Sequence, residues 1–68
     1  MHIKDWKTLK NGDLIVLENH ITKQRYNVEV CYVYDDSLIV FGTRDDLDYE
    51  ASFLFTERDL KITNIYTR

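Results

Sequence analysis

The run Tyr26-Asn27-Val28-Glu29-Val30-Cys31-Tyr32-Val33-Tyr34, followed by Asp35-Asp36-Ser37 and then Leu38-Ile39-Val40-Phe41-Gly42, decides the fold class. In its first part Tyr26, Val28, Val30, Tyr32 and Tyr34 share one parity, while Asn27, Glu29, Cys31 and Val33 share the other. A two-residue period sends alternate side chains to opposite faces of a strand, so the first set is expected to face a core. β-branched and aromatic residues suit a pleated, half-buried surface, and no proline interrupts the ladder. Asp35, Asp36 and Ser37 are turn residues whose short polar side chains bond nearby backbone groups. The stretch therefore reads as an antiparallel hairpin.

Outward from the hairpin, Asp13–Glu18 is an apolar run of strand length, bounded by Asn11-Gly12 and Asn19-His20. Beyond a polar loop at 43–48, Tyr49, Ala51, Phe53 and Phe55 alternate with Glu50, Ser52, Leu54 and Thr56 as a fourth strand. Thr56-Glu57-Arg58-Asp59 has the form of a capping box, and alternation resumes at Leu60–Tyr66, which leaves space for a single helical turn. At the other end, Asp5 is placed to cap a short helix with Trp6 and Leu9 on one side and Gly12 at its end. The expectation is an all-β domain of five strands, with a short N-terminal helical turn and a one-turn helix before the last strand. Apolar side chains on both parities of the first and third strands favour a closed barrel over a flat meander.

Leu9-Lys10-Asn11-Gly12-Asp13-Leu14-Ile15-Val16 resembles the opening of many small SH3-like barrels, in which a Gly-Asp turn feeds the first strand. The element order also resembles that of Sm-like proteins, where a short helix precedes five strands. The resemblance implies a small SH3-like barrel, and for such barrels nucleic-acid binding is the usual expectation.

Size and composition bound the rest. The 68 residues make one domain, 1–68, of a size that buries only about 60% of the surface its unfolded chain exposes. One cysteine excludes an internal disulfide and suits a reducing compartment, and the charged amino terminus lacks the apolar run of a signal peptide. A cytoplasmic chain without membrane contact is expected. Plentiful Ile, Lys, Asn, Tyr and Phe follow from AT-rich codons, which points to a low-GC bacterium or one of its phages.

Catalytic chemistry is not expected. Cys31 with His2 or His20 would supply a nucleophile and a base, but a lone mid-strand cysteine is ordinarily a small filler. Two histidines and one cysteine at unrelated spacing do not make a zinc site. Asp46, Asp48, Glu50 and Glu57 fall at positions one, three, five and twelve of an EF-hand loop. Ala51 nevertheless stands where a sharp turn needs Gly, and strand alternation follows it. No cofactor or metal is expected.

The charge of −3 is uneven: Lys4, Lys7, Lys10, Lys23 and Arg25 fall early, and most carboxylates fall late. Two acidic loops with tyrosines beside them give the leading expectation. It is a non-enzymatic protein-interaction module, of the kind a phage or mobile element uses to inhibit a host protein. Binding would run through Tyr34, Asp35, Asp36, Asp45, Asp46, Asp48, Tyr49 and Glu50. Such a face imitates the phosphates of a nucleic acid and would fill a basic groove. The alternative is a nucleic-acid-binding protein using Lys4, Trp6, Lys7 and Lys10. An exposed edge strand or tyrosine patch would also support a homo-oligomer.

Overall fold

A computed structural model describes residues 2–68. Among them the chain forms one antiparallel sheet of six strands: β1 (His2–Ile3), β2 (Leu14–Asn19), β3 (Arg25–Val33), β4 (Ser37–Arg44), β5 (Ala51–Thr56) and β6 (Thr63–Thr67). Their order across the sheet is β1-β6-β2-β3-β4-β5. The 3₁₀ turn Trp6–Thr8 and the helix α1 (Glu57–Lys61) complete the elements.

The local chemistry explains where the chain turns. Asp5 caps the 3₁₀ turn by accepting from the Lys7 N–H at 3.0 Å. Asp13 N–H closes the next turn on the Lys10 carbonyl at 3.0 Å, with Gly12 at φ 94° in the left-handed position such a turn requires. Thr56 and Asp59 form the reciprocal capping box read from the sequence, so α1 starts where it was expected. Strand starts shift by one to three residues, and α1 takes Leu60 and Lys61 from the last strand.

Two expectations about architecture are corrected. The sheet has six strands among the described residues, not five, because His2–Ile3 adds to β6 opposite Tyr66 and Ile65. It is also open: no ladder joins β5 to β6 or β1 there. The reason lies in α1. The helix separates β5 from β6, and the Thr56 N–H goes to the Asp59 carboxylate at 3.1 Å instead of to a strand.

One side of the sheet curls around the core formed by Leu9, Ile15, Leu17, Val28, Val30, Leu38, Val40, Phe55, Leu60 and Ile65. Trp6, Ile3, Tyr26, Val33 and Phe53 pack against it. Gly42 marks a close approach of β3 to β4. A Cβ there would meet the Asn27 carbonyl oxygen at 2.2 Å and the Val28 Cα at 2.8 Å, so glycine is what lets β3 lie this close to β4.

The expected single parity along the hairpin fails at one residue. Val30 pairs with Val40 but Tyr32 pairs with Ile39, so Cys31 is an extra residue bulged out of the ladder. Beyond it the faces exchange. Val33, opposite Leu38, turns toward the core, while Tyr32 turns outward with Tyr34 exposed beyond it. The bulge is held by the 10–13 turn. Asn11 Nδ2 donates to the Cys31 carbonyl at 2.6 Å, Gly12 N–H to the Val30 carbonyl at 2.8 Å, and Val30 N–H to the Asp13 carbonyl at 2.9 Å.

Candidate functional site

The second apolar parity, taken in the sequence as a sign of closure, lies on the convex outer face. Tyr32 is 58% exposed, Leu54 61% and Phe41 43%. The register makes them neighbours: Tyr32 faces Ile39, Ile39 faces Leu54, and Phe41 lies next along β4 on the same face, between Glu29 and Ser52. Tyr34 extends the row, its ring stacked on Tyr32 with centroids 6.0 Å apart and 25° between planes. A contiguous apolar surface of this kind marks a binding face more often than single exposed residues do.

Carboxylates border this row. Glu29 stands beside Phe41, and Asp35 and Asp36 are exposed at the hairpin tip just past Tyr34. Tyr34 N–H closes the tip on the Ser37 carbonyl at 2.9 Å, and Glu57 N–H bonds the Asp36 carbonyl at 2.9 Å, which brings a third acidic residue to the tip beside Asp35 and Asp36. The face thus pairs aromatic and aliphatic area with an acidic margin.

The other expected acidic residues stand elsewhere. Asp45, Asp46, Asp48, Tyr49 and Glu50 follow the far end of β4, eight residues from the tip, or about 26 Å at the usual rise per residue. Two of them serve local structure. Asp45 Oδ2 accepts from the Arg25 N–H at 3.3 Å while Asp45 N–H donates to the Arg25 carbonyl at 2.9 Å. Asp46 pairs with Arg44, whose guanidinium lies 5.9 Å above the Tyr26 ring and 5.7 Å above Phe53. The hydrogen bond from Arg44 holds the Asp46 carboxyl below its ordinary value, and the same bond holds Arg44 above its own. Asp48, Tyr49 and Glu50 remain exposed. The two acidic loops are therefore separate poles and not a single surface.

The basic segment divides as well. Lys4, Trp6 and Lys7 line a groove against α1 and β6, and the groove also holds His2, Lys61 and one carboxylate, Glu57. Lys7 Nζ lies 5.6 Å above the Trp6 ring, and the indole is half-buried against the core. Lys10 is outside this groove, in the turn where its N–H bonds Asp13 Oδ2 at 2.8 Å.

Cys31 is half-buried at the bulge, its thiol 3.9 Å from the Glu29 carbonyl. His20 lies in the turn before β3, at the opposite end of that strand, and His2 packs on Tyr66 three strands away in the sheet. The geometry does not assemble them. Compared with known protein families, curated proteins and solved structures, the chain matches none.

Asp35 and Asp36 stand at the exposed hairpin tip as their turn chemistry implied, Tyr34 is exposed beside them although its parity was expected to face the core, and Tyr32, Ile39, Phe41 and Leu54 were missed as surface residues. For Ile39 and Phe41 the signal was present as the second apolar parity of residues 38–42, for Leu54 as an apolar residue on the otherwise polar parity of its strand, and for Tyr32 the bulge at Cys31 reversed the face. The parity in 38–42 was assigned to burial because an exposed apolar parity and a doubly buried one read alike.

Proposed function

We propose that this chain is a non-enzymatic protein-interaction module that binds its partner through the outer face of β3, β4 and β5, anchored by Tyr32, Phe41 and Leu54 and oriented by Glu29, Asp35 and Asp36. The observation that carries the reading is the contiguous outer-face row Tyr32–Ile39–Leu54, exposed at Tyr32 and Leu54 and half-buried at Ile39, with exposed Phe41 beside it. Full burial of a large exposed side chain contributes roughly 1.5–3 kcal/mol, and these three anchors are about half exposed, so together they supply on the order of 2–4 kcal/mol toward binding. The acidic margin selects a partner with basic residues around an apolar centre and speeds its approach. Strand order β6-β2-β3-β4-β5 with a helical turn between β5 and β6 supports an SH3-like barrel left open at one seam.

The test is affinity capture from an extract of the source organism, with wild-type bait beside a Tyr32→Thr/Phe41→Thr bait of unchanged circular dichroism. A protein retained by the first, lost by the second and weakened by salt is expected. If both baits retain the same proteins, the face is wrong.

A second reading rests on the groove of His2, Lys4, Trp6, Lys7 and Lys61. It joins lysines to an aromatic ring as single-stranded nucleic acid requires. A gel shift with single-stranded RNA and DNA at low salt tests it, and absence of a salt-sensitive shift removes it.

A further inference from the structure

The strand β5 ends the sheet, and its edge is bare. Its six residues, Ala-Ser-Phe-Leu-Phe-Thr, carry no charge, no proline and no glycine, and they pair with β4 from Gly42 to Ser37 without a register shift. Natural edge strands are ordinarily blunted by lysine, proline, a bulge or short length, and β5 has none of these. The composition is that of a segment primed to pair with another strand.

The backbone shows which groups are available. Glu57 N–H points to the β4 side, where it meets the Asp36 carbonyl, and Thr56 N–H points the other way, to Asp59 Oδ2. Alternation in an antiparallel ladder then directs the N–H and C=O of Phe55 and Phe53 to β4 and those of Leu54 and Ser52 to the free edge. Beside that edge runs a groove floored by Tyr26, Phe53 and Phe55, with the Arg44 guanidinium, paired to Asp46, over the Tyr26 and Phe53 rings. The Tyr26 ring meets Phe53 and Phe55 edge-on at 5.0 and 4.9 Å. The seam that keeps the sheet open is therefore an aromatic-floored slot with two residues' worth of unpaired backbone along one wall.

Charge identifies what fits there. From Asp48 to Asp59 the chain carries four carboxylates, Asp48, Glu50, Glu57 and Asp59, against one cation, Arg58, and the slot's own Arg44 is paired with Asp46. Asp48 and Glu50 flank the start of β5, and Glu57 flanks its end. Antiparallel pairing of two copies would bring the Asp48–Glu50 end of one strand beside the Glu57–Asp59 end of the other, both net negative, and like charges across a pair destabilise it. An extended segment with lysine or arginine at its ends meets complementary charge at both.

We propose that β5 accepts an extended segment of a partner protein as a seventh strand, hydrogen-bonded to Ser52 and Leu54, with alternate apolar side chains in the Tyr26–Phe53–Phe55 slot and basic residues opposite Asp48, Glu50 and Glu57. This is strand addition to a sheet edge, in which the backbone gives affinity and the alternate pockets give sequence preference. It does not depend on the outer face serving as a binding surface.

The probe is a phage-displayed library of random dodecapeptides, selected against the wild-type chain. Peptides with apolar residues at every second position and Lys or Arg at the ends are expected. A Leu54→Pro variant should lose at least tenfold in affinity for them. Proline there removes an edge-facing donor and leaves the β4 ladder in place, and unchanged circular dichroism checks this. Ser52→Pro is the second such variant should the first fail to fold. Tyr32→Thr/Phe41→Thr should bind these peptides as wild type does, which separates this site from the outer face. Absence of enrichment, or binding indifferent to both prolines, would overturn the proposal. So would concentration-dependent dimerisation, abolished by the same prolines, because the edge would then belong to a second copy.

Discussion

Single residues set the curl of the sheet and its turns. Gly42 is the most exacting, since any Cβ collides with backbone atoms of Asn27 and Val28, which have nowhere to move without breaking the β3–β4 ladder. Overpacking a core ordinarily costs 1–3 kcal/mol, and a backbone obstacle belongs at or beyond the top of that range, so Gly42→Ala should lower the urea-unfolding free energy by about 3 kcal/mol or more. A change below about 1 kcal/mol would mean that β3 and β4 lie farther apart than described. Lys23 is the opposite case. It holds φ 67° in the turn before β3, a left-handed conformation that costs a non-glycine residue roughly 1–2 kcal/mol, so Lys23→Gly should be neutral or stabilising in the same assay. Asp46 gives a pH signature. Its folded carboxyl is held below the unfolded value by Arg44, so the pair's stabilisation is present above the ordinary carboxylate range and disappears as pH falls through the lowered folded value. Asp46→Asn should remove that part of the acid limb in a stability-versus-pH series, and stability at neutral pH should fall only slightly, because the pair is solvent-exposed.

Elements were legible in the sequence where local chemistry decides them. The hairpin, the first strand, the Asp5 turn and the Thr56–Asp59 box all follow from alternation, turn residues and caps within a few positions of one another. Thr56→Ala should accordingly cost about 1 kcal/mol, read by thermal or urea unfolding, because the cap satisfies the start of α1 with no other partner for the Asp59 N–H. What the sequence concealed depends on contacts distant along the chain. The bulge at Cys31 is fixed by Asn11 and Gly12, some twenty positions away, and nothing in Val30-Cys31-Tyr32-Val33 announces it. Because a one-residue slip exchanges the faces of a strand, that single feature moved Tyr32 from the expected core to the outer surface. Two-residue β1 is too short to show any period at all.

At the scale of the whole molecule, openness is the consequential property. A closed barrel would have no edge and no slot; this sheet keeps both, and its convex side carries an apolar row that the fold does not bury. No helix among the described residues is long and apolar enough to cross a membrane. The separation of the acidic loops to opposite ends of β4 changes what charge can do here, since a partner seated on Tyr32 and Tyr34 meets Asp35 and Asp36, whereas Phe41, paired with Ser52, lies toward the Glu50 end of the face. Replacing the outer aromatics should leave the fold almost untouched: Tyr32→Thr/Phe41→Thr is expected within about 1 kcal/mol of wild type by urea unfolding, because exposed substitutions usually have small effects. The most direct test of the outer-face assignment is amide resonance mapping of the isotope-labelled chain with its captured partner. Perturbations gathered at Glu29, Tyr32–Asp36, Ile39–Phe41 and Leu54 are expected, and perturbations confined to 45–50 or to Lys4–Lys10 would contradict it.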